Sequence, residues 1–400
     1  MTPCIRRVQI RNFKSIERAV VDLAPLTVLV GPNGVGKSNF VGALVFLQRM
    51  VSRGLNEAFR QSSSEVLPRW VEMDFRRGTS VGLKVDLDLA AGIRADYAVE
   101  IELGRDFQPT VSRERCRIAR DSKPQEVFEV AQGRFVREIA GIRSQLEPDR
   151  LALLAASATE EFRPVYDFLV AIRAYSIAPR AVAGLASGVG AGISLEPDGS
   201  NAALVLKAVA ERSPEDHARI TRLLARAVEG ITEIGLREDL GSPILTFKKD
   251  VGRDQPGTFL GGSMSDGTLR LLGLLLAIYQ PNRPSLLVVE EPEATIHPAA
   301  AQLVTEILVS AAQDRQILIT THSPDLLDSK ELSDEQIRAV SQRDGRTIVA
   351  PLAAASRQAI RERLYTPGEL LRIGELEQDA DWAIETDARL DLFPADSGLV

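Results

Sequence analysis

The spacing of apolar and polar positions changes period several times along the chain. Ile5 to Ile10 alternates and predicts a strand, and Val20–Leu23 and Leu26–Val30 are short β-type runs, the second stopping at Gly31. From Lys37 to about Met50 the period becomes helical, with Phe40, Val41, Leu44 and Leu47 on one stripe. Residues 68–140 read as an antiparallel layer: Val81–Leu89 and Tyr97–Leu103 alternate with period two, and further strands are predicted near 109–118 and 126–137. Arg150–Ala174 reads as helix running into a short strand over Ala171–Ile177, and the Gly, Ser and Ala stretch Ala183–Ser194 as a mobile loop. Helices are expected over Asn201–Arg212 and Pro214–Glu229, then strands near 231–237 and 243–249. Beyond residue 261 a helix (Asp266–Tyr279), a strand (Leu286–Glu290), a helix (Pro298–Gln313) and a strand (Gln316–Thr320) alternate, the pattern of a mostly parallel α/β sheet. There is no internal repeat and no sustained heptad.

Composition narrows the class. The chain has 400 residues, 44% of them apolar and 26% charged, a globular balance. Its longest apolar run, Leu271–Tyr279, is far short of the ~20 residues a membrane helix needs. No signal-peptide pattern follows Met1, and Cys4 and Cys116 lie too far apart in sequence to suggest a disulfide framework or zinc cluster, so a reducing cytoplasm and no membrane contact are expected. Charge is uneven: residues 375–400 hold eight acids and one base, so the net −7 of the whole chain resides there and the first 374 residues are neutral. The expected organisation is a first head segment (1–180), a helical and β insertion (181–260), a second head segment (261–374) and an acidic tail (375–400).

Four segments carry chemistry. Gly31-Pro32-Asn33-Gly34-Val35-Gly36-Lys37-Ser38 fits G-x-x-x-x-G-K-[ST] between a strand and a helix. Its glycines let successive N–H groups face phosphate oxygens, Lys37 would reach the β- and γ-phosphates, and the Ser38 hydroxyl would ligate Mg²⁺. Leu286–Glu290 is a buried strand ending in Glu290 and Glu291; one carboxylate can hold Mg²⁺ and its neighbour can deprotonate an attacking water. Alone it would read as a solvated acidic loop. His322 follows the second buried strand, where it can hydrogen-bond a γ-phosphate; His297 reads as a helix-start residue and His217 as a solvated one. Gly261-Gly-Ser-Met264-Ser265-Asp266-Gly267-Thr268 is by itself an N-cap signature, with Ser265 or Asp266 as the cap.

Taken in order, GPNGVGKS, SMSDGT, LLVVEEPEATIHP and ITTHSPDLL, with Ile10-Arg-Asn-Phe-Lys-Ser-Ile16 at the start, resemble ATPases of the ABC superfamily in its SMC-like, RecF-like and OLD-like branch. Asp198-Gly-Ser-Asn201 and Thr366-Pro-Gly-Glu-Leu370 are similar to segments of the compact bacterial members. The resemblance spans residues 3–376. It implies an α/β P-loop NTPase head with an antiparallel β layer and a helical signature subdomain, using ATP and Mg²⁺ in an ATP-dependent homodimer. In each composite site Gly31–Asn39, Glu290 (metal), Glu291 (base), Lys37 and His322 would come from one subunit, and Ser265 and Gly267 from the other. Glu290 stands where the superfamily usually has Asp, and Met264 and Asp266 replace the Leu and Gly of transporter-type signatures; Asp266 is expected to cap its helix and turn away from the triphosphate. No glutamine marks the Q-loop, whose place falls to Tyr175–Arg180, with Arg180 as its polar candidate.

Lys37 to Ser265 spans 228 positions without a coiled coil, and the 78 residues after His322 are short for a TOPRIM nuclease. The first reading is a RecF-like ATPase in DNA repair or recombination. Two arginine sets could meet double-stranded DNA: Arg6, Arg7, Arg11, Lys14 and Arg18, and Arg113, Arg115, Arg117 and Arg120. The alternative is a regulatory ATPase of an anti-phage defence or toxin system controlling a separate effector protein, its acidic tail a docking or masking element. A non-hydrolysing scaffold fits poorly with an intact Glu291 and His322.

Overall fold

Alternation along the strands sorts the chain into three sheets. In chain order the strands are β1 (Cys4–Phe13), β2 (Ile16–Asp22), β3 (Leu26–Val30), β4 (Ser80–Leu89), β5 (Ile93–Leu103), β6 (Pro109–Ala119), β7 (Glu126–Ala131) and β8 (Arg134–Arg137). They continue with β9 (Arg173–Tyr175), β10 (Ile231–Asp239), β11 (Ser242–Lys249), β12 (Gly257–Leu260), β13 (Leu286–Glu290), β14 (Gln316–Thr321), β15 (Ile337–Arg343) and β16 (Arg346–Pro351). This computed structural model describes residues 2–62, 80–103, 108–120, 124–137, 146–184, 194–239, 241–252, 256–329, 331–388 and 390–395; most of the expected loop at 183–194 lies outside them.

The first sheet runs β2-β1-β4-β5-β6-β7-β8, antiparallel throughout. One face is apolar: Val8, Val85, Tyr97, Cys116 and Phe128 occupy one cross-strand row and are all buried. Helix Lys37–Arg53 belongs to the same core through Phe40, Leu44 and Leu47, the stripe its sequence predicts. The other face is a ladder of charges.

The second sheet, β16-β15-β3-β14-β13-β9, carries the α/β part. β3, β14 and β13 are parallel and buried, as continuous apolar runs require when both faces are covered. Their side chains alternate between two cores: Leu29, Val288 and Leu318 meet helix Lys37–Arg53 and the first sheet, while Val28, Val289 and Ile319 join helices Asp266–Tyr279 and Pro298–Ala311. A small antiparallel sheet, β10-β11-β12, packs with the helices of the second core.

Four features depart from the periodicity. Arg150–Ala174 is not one helix but two short ones, Ala152–Ala156 and Arg163–Val170, because Pro164 can occupy only a helix's first turn. The strand expected over 126–137 is a hairpin, turned at Gln132 (φ 47°) and Gly133 (φ 74°). The β15–β16 hairpin is not in the sequence reading at all, although Asp344-Gly345 between alternating runs is a hairpin signal. Residues 376–388 and 390–395 do not trail away: Gln378 bridges to Leu352, helix Ala380–Ala388 lies by β2 and β16, and Leu392 is buried.

Candidate active site

Three loops leave the same edge of the second sheet. Glu290, Thr320 and Leu29 share a row across β13, β14 and β3, so the turns that follow each strand are neighbours. The 31–38 turn follows β3, Glu291 follows β13, and His322 follows β14. A ligand site at the carboxyl ends of parallel strands is the expected location for this architecture.

The 31–38 turn is held from behind. Gly34 and Gly36 take φ 82° and 106°, and a Cβ on Gly36 would lie 1.9 Å from Thr347 Oγ1. Thr347 donates to the Val35 carbonyl at 2.7 Å and shares a 2.7 Å bond with Ser15 Oγ, which accepts from Asn39 Nδ2 at 2.5 Å. A Cβ on Gly31 would come within 2.1 Å of the Val340 carbonyl oxygen on β15. Val340 and Thr347 escaped the motif reading because they lie in segments with no motif of their own, and Ser15, although inside the Ile10–Ile16 segment, was assigned no contact with the 31–38 turn.

Lys37 is only 6% exposed and donates to the carbonyls of Gly31 (2.7 Å) and Pro32 (2.8 Å). Burial pushes its ammonium pKa below the ordinary lysine value, and the carboxylates of Glu291, Glu293 and Glu290 oppose that shift. A buried cation beside glycine N–H groups fits a polyphosphate, which would give both sets of donors oxygen partners. Ser38 Oγ donates to Glu290 Oε2 at 2.5 Å, so a hydroxyl and a carboxylate converge as hard oxygen ligands suited to Mg²⁺.

Glu291 and His322 meet at the same edge, Oε1 to Nδ1 at 3.2 Å, both side chains partly open to solvent. The Glu291 N–H donates to the Thr320 carbonyl at 2.9 Å. Behind them sits Glu293, 7% exposed, whose Oε1 accepts from Thr321 Oγ1. Thr321 Oγ1 in turn accepts from the Ser323 N–H at 2.9 Å, which fixes the backbone on both sides of His322. Burial raises the Glu293 pKa, and among the described residues its Oε2 has no hydrogen-bond partner. The next turn of chain is braced as well: Thr366 caps helix Pro367–Ile373 with Glu369 in a reciprocal capping box and donates to Asp328 at 2.6 Å. The Thr366–Leu370 segment is therefore a support for the loop after His322.

In the signature turn, Ser265 rather than Asp266 is the helix cap: its hydroxyl accepts from the Thr268 N–H at 3.3 Å. Asp266 stands at the first helical position, where its charge complements the helix dipole, and both residues are exposed. Gly267 packs on the loop after Glu291; a Cβ there would lie 2.8 Å from the Thr295 carbonyl oxygen. Arg270, one turn on, reaches the Glu291 carbonyl at 3.5 Å. In the region expected to serve as Q-loop, Arg180 is exposed on helix Pro179–Ala183, whereas Ser176 lines a cavity of about 840 Å³ together with Ser38 and Glu290. His297 is exposed at the start of helix Pro298–Ala311, and His217 is half-buried on helix Pro214–Ala227.

The arginine sets are placed differently from the DNA expectation. Arg117 is 3% exposed and bonded to Asp96 at 2.7 Å; Arg113 bonds Glu129 at 2.5 Å and Arg120 bonds Glu126 at 3.1 Å. Arg115 lies beneath the C-terminal residues. In the first set Arg6 pairs with Asp88 (3.2 Å), Arg7 with Asp22 (2.5 Å) and Arg11 with Glu100, while Lys14 stands over the Phe13 ring at 5.7 Å. Cross-strand carboxylates pair Arg6, Arg7, Arg11, Arg113, Arg117 and Arg120, which period-two alternation within one strand could not reveal.

Fold and edge loops together define a P-loop nucleotide-binding head. The family model described as "AAA domain, putative AbiEii toxin, Type IV TA system" matches residues 26–328, and the chain belongs to that family. Among solved structures, the Smc head domain with an extended coiled coil bound to the C-terminal domain of ScpA from Pyrococcus furiosus is similar over 91% of this chain and 100% of that one, at 13% identity and a TM-score of 0.50. The SmcHead bound to the C-winged helix domain of ScpA is similar over 88% and 98%, at 17% identity and a TM-score of 0.50. The protein is thus an AAA-type ATPase domain with the fold of an SMC head. Among the described residues no helix is long and apolar enough to cross a membrane.

Proposed function

We propose that the chain hydrolyses ATP with Mg²⁺ as a dimeric switch that controls a partner protein. The observation that carries the reading is the convergence of Lys37, the Ser38–Glu290 pair and the Glu291–His322 pair at one sheet edge. Ser38 and Glu290 would hold Mg²⁺, which supplies charge neutralisation at the phosphates. Lys37 would exchange its two carbonyl partners for phosphate oxygens. Glu291 would take a proton from water as that oxygen bonds the γ-phosphorus and the bond to the β–γ bridging oxygen breaks, releasing ADP and phosphate. His322 would orient Glu291 and the γ-phosphate. The exposed Ser265 turn would complete the site of a second copy, so ATP would favour the closed dimer and hydrolysis the open one.

The protein-partner reading, in a toxin or defence system, draws support from the family description and from the carboxylates paired with most of the two arginine sets. The Smc heads similar in fold are bound to ScpA, a protein partner. RecF-like DNA repair is the second reading and rests on the motif resemblance. ATP turnover by the purified protein, with and without Mg²⁺ and with and without duplex DNA, beside Glu291→Gln, tests both. Turnover indifferent to DNA and lost in the variant is expected. Salt-sensitive stimulation by DNA would restore the repair reading, and turnover unaffected by Glu291→Gln would overturn the assigned base.

A further inference from the structure

The charged face of the first sheet is covered by the chain's own C-terminal residues. Gln9, Lys84, Ala98, Arg115 and Glu129 form one cross-strand row, and Arg11, Gly82, Glu100 and Arg113 the next. Leu392, 2% exposed, fills the notch left by the missing side chain of Gly82; a Cβ there would lie 2.2 Å from Leu392 Cδ1. The Phe393 ring lies under the guanidinium carbons of Arg113 and Arg115, at 4.4 and 5.5 Å from its centroid. The Pro394 carbonyl accepts from Arg115 Nη1 at 2.9 Å.

This cover leaves the polar atoms beneath it poorly satisfied. Arg115 is 3% exposed, yet among the described residues its Nε and Nη2 have no hydrogen-bond partner. Among the described residues Arg11 Nε, Gln9 Oε1 and Asp96 Oδ1 on the same face are also unpaired. A buried donor or acceptor left without a partner destabilises the fold by its lost hydration. The strap's nearby carboxylate does not help, because Asp391 Oδ1 accepts from its own chain at the Phe393 N–H, 3.0 Å away. A permanent structural cover would be expected to pair these groups. A replaceable one need not.

We propose that this face is a peptide-docking site, occupied in cis by residues 391–394 and taken in trans by an acidic segment of a partner protein. Such a segment would set an aliphatic residue over Gly82 and an aromatic ring on Arg113 and Arg115. Its carboxylate would accept the two free N–H groups of Arg115, a fork geometry that suits guanidinium. A nucleic acid fits less well: the notch at Gly82 takes an aliphatic group, and Arg11, Arg113 and Arg117 are already paired with carboxylates. The inference rests on the protein-partner reading above, and its test needs no nucleotide, so either can fail alone.

The test uses the full chain and a fluorescein-labelled peptide copying its own residues 388–396, followed by anisotropy. Wild type should bind weakly because the site is filled. L392A/F393A should bind the peptide about tenfold more tightly. Adding Arg115→Lys should remove most of that gain, since an ammonium cannot present the fork. A peptide with Glu in place of Ala395 should bind the arginine protein more tightly than the parent peptide does, and should have no such advantage on the lysine variant. Thermal unfolding close to wild type would show that the variants are folded, with Phe393→Ala alone as the milder substitute. Equal peptide affinity in wild type and L392A/F393A, indifference to Arg115→Lys, or displacement of the peptide by a short DNA duplex would overturn the proposal.

Discussion

His322 Nδ1 stands 3.2 Å from Oε1 of Glu291, and Glu291 holds its place with a left-handed backbone, φ 45°. A side chain in that region carries strain of order 1 kcal/mol, and its position at the end of β13 ties the strain to the site. Glu291→Gln is expected to lower ATP turnover by about 10²-fold or more while nucleotide binding persists. Glu291→Gly should also abolish turnover yet raise stability by about 1 kcal/mol, because glycine accepts this φ freely. Turnover and urea unfolding on both variants separate the two effects; a glycine variant less stable than Glu291→Gln would refute the strain assignment.

Gly31 faces a backbone oxygen rather than a flexible side chain. Gly31→Ala should reduce nucleotide binding strongly and destabilise the fold by about 2 kcal/mol or more, since β15 cannot retreat without breaking its ladder with β3 and β16. Gly36→Ala meets Thr347, a side chain, so Thr347→Ala should relieve the contact with Oγ1 at 1.9 Å while leaving the Thr347 Cβ at 2.9 Å. It should not restore full binding, because φ 106° remains unfavourable for alanine. Nucleotide affinity measured across this set checks the distinction.

Glu293 acts at one remove, through Thr321. Glu293→Gln retains an acceptor for the threonine hydroxyl and should keep most of the turnover. Glu293→Ala should lose about tenfold through kcat, with nucleotide affinity less changed, as His322 loses its fixed backbone. An equal loss in both variants would argue that the charge itself matters.

The buried Glu114 accepts from the Ala152 and Leu153 N–H groups and from Tyr97, and burial raises its pKa to about 7. Its ordinary value is 4.5, so between pH 4.5 and about 7 the folded protein holds a proton that the unfolded chain has released. Stability from this group is therefore fully present at the acid end of that window and lost as pH rises through it. The difference in unfolding free energy between wild type and Glu114→Gln should shift against wild type by about 3 kcal/mol from pH 4.5 to 7.5. A difference independent of pH would contradict the assignment.

Much of the site could be read from the chain because its parts are local. Gly31–Ser38, Glu290–Glu291 and His322 each follow a strand whose apolar run announces it. The signature turn was legible as a cap, but which residue caps was not: Ser265 and Asp266 both qualify by type, and only the bond to Thr268 separates them. The roles of Thr347 and Ser15 were invisible because their effect on the 31–38 turn is a contact between distant segments.

What the sequence determined by itself was therefore the set of elements and the chemistry at their ends: period, glycine placement and residue type are properties of short segments. What only the tertiary structure decided was pairing. Arg113, Arg115 and Arg117 alternate on β6 whether they face solvent, carboxylates or a covering segment. Glu129, Asp96 and the 391–394 strap reach them only through sheet register and chain return. An ion pair across strands depends on which strands become neighbours, and no local period encodes that.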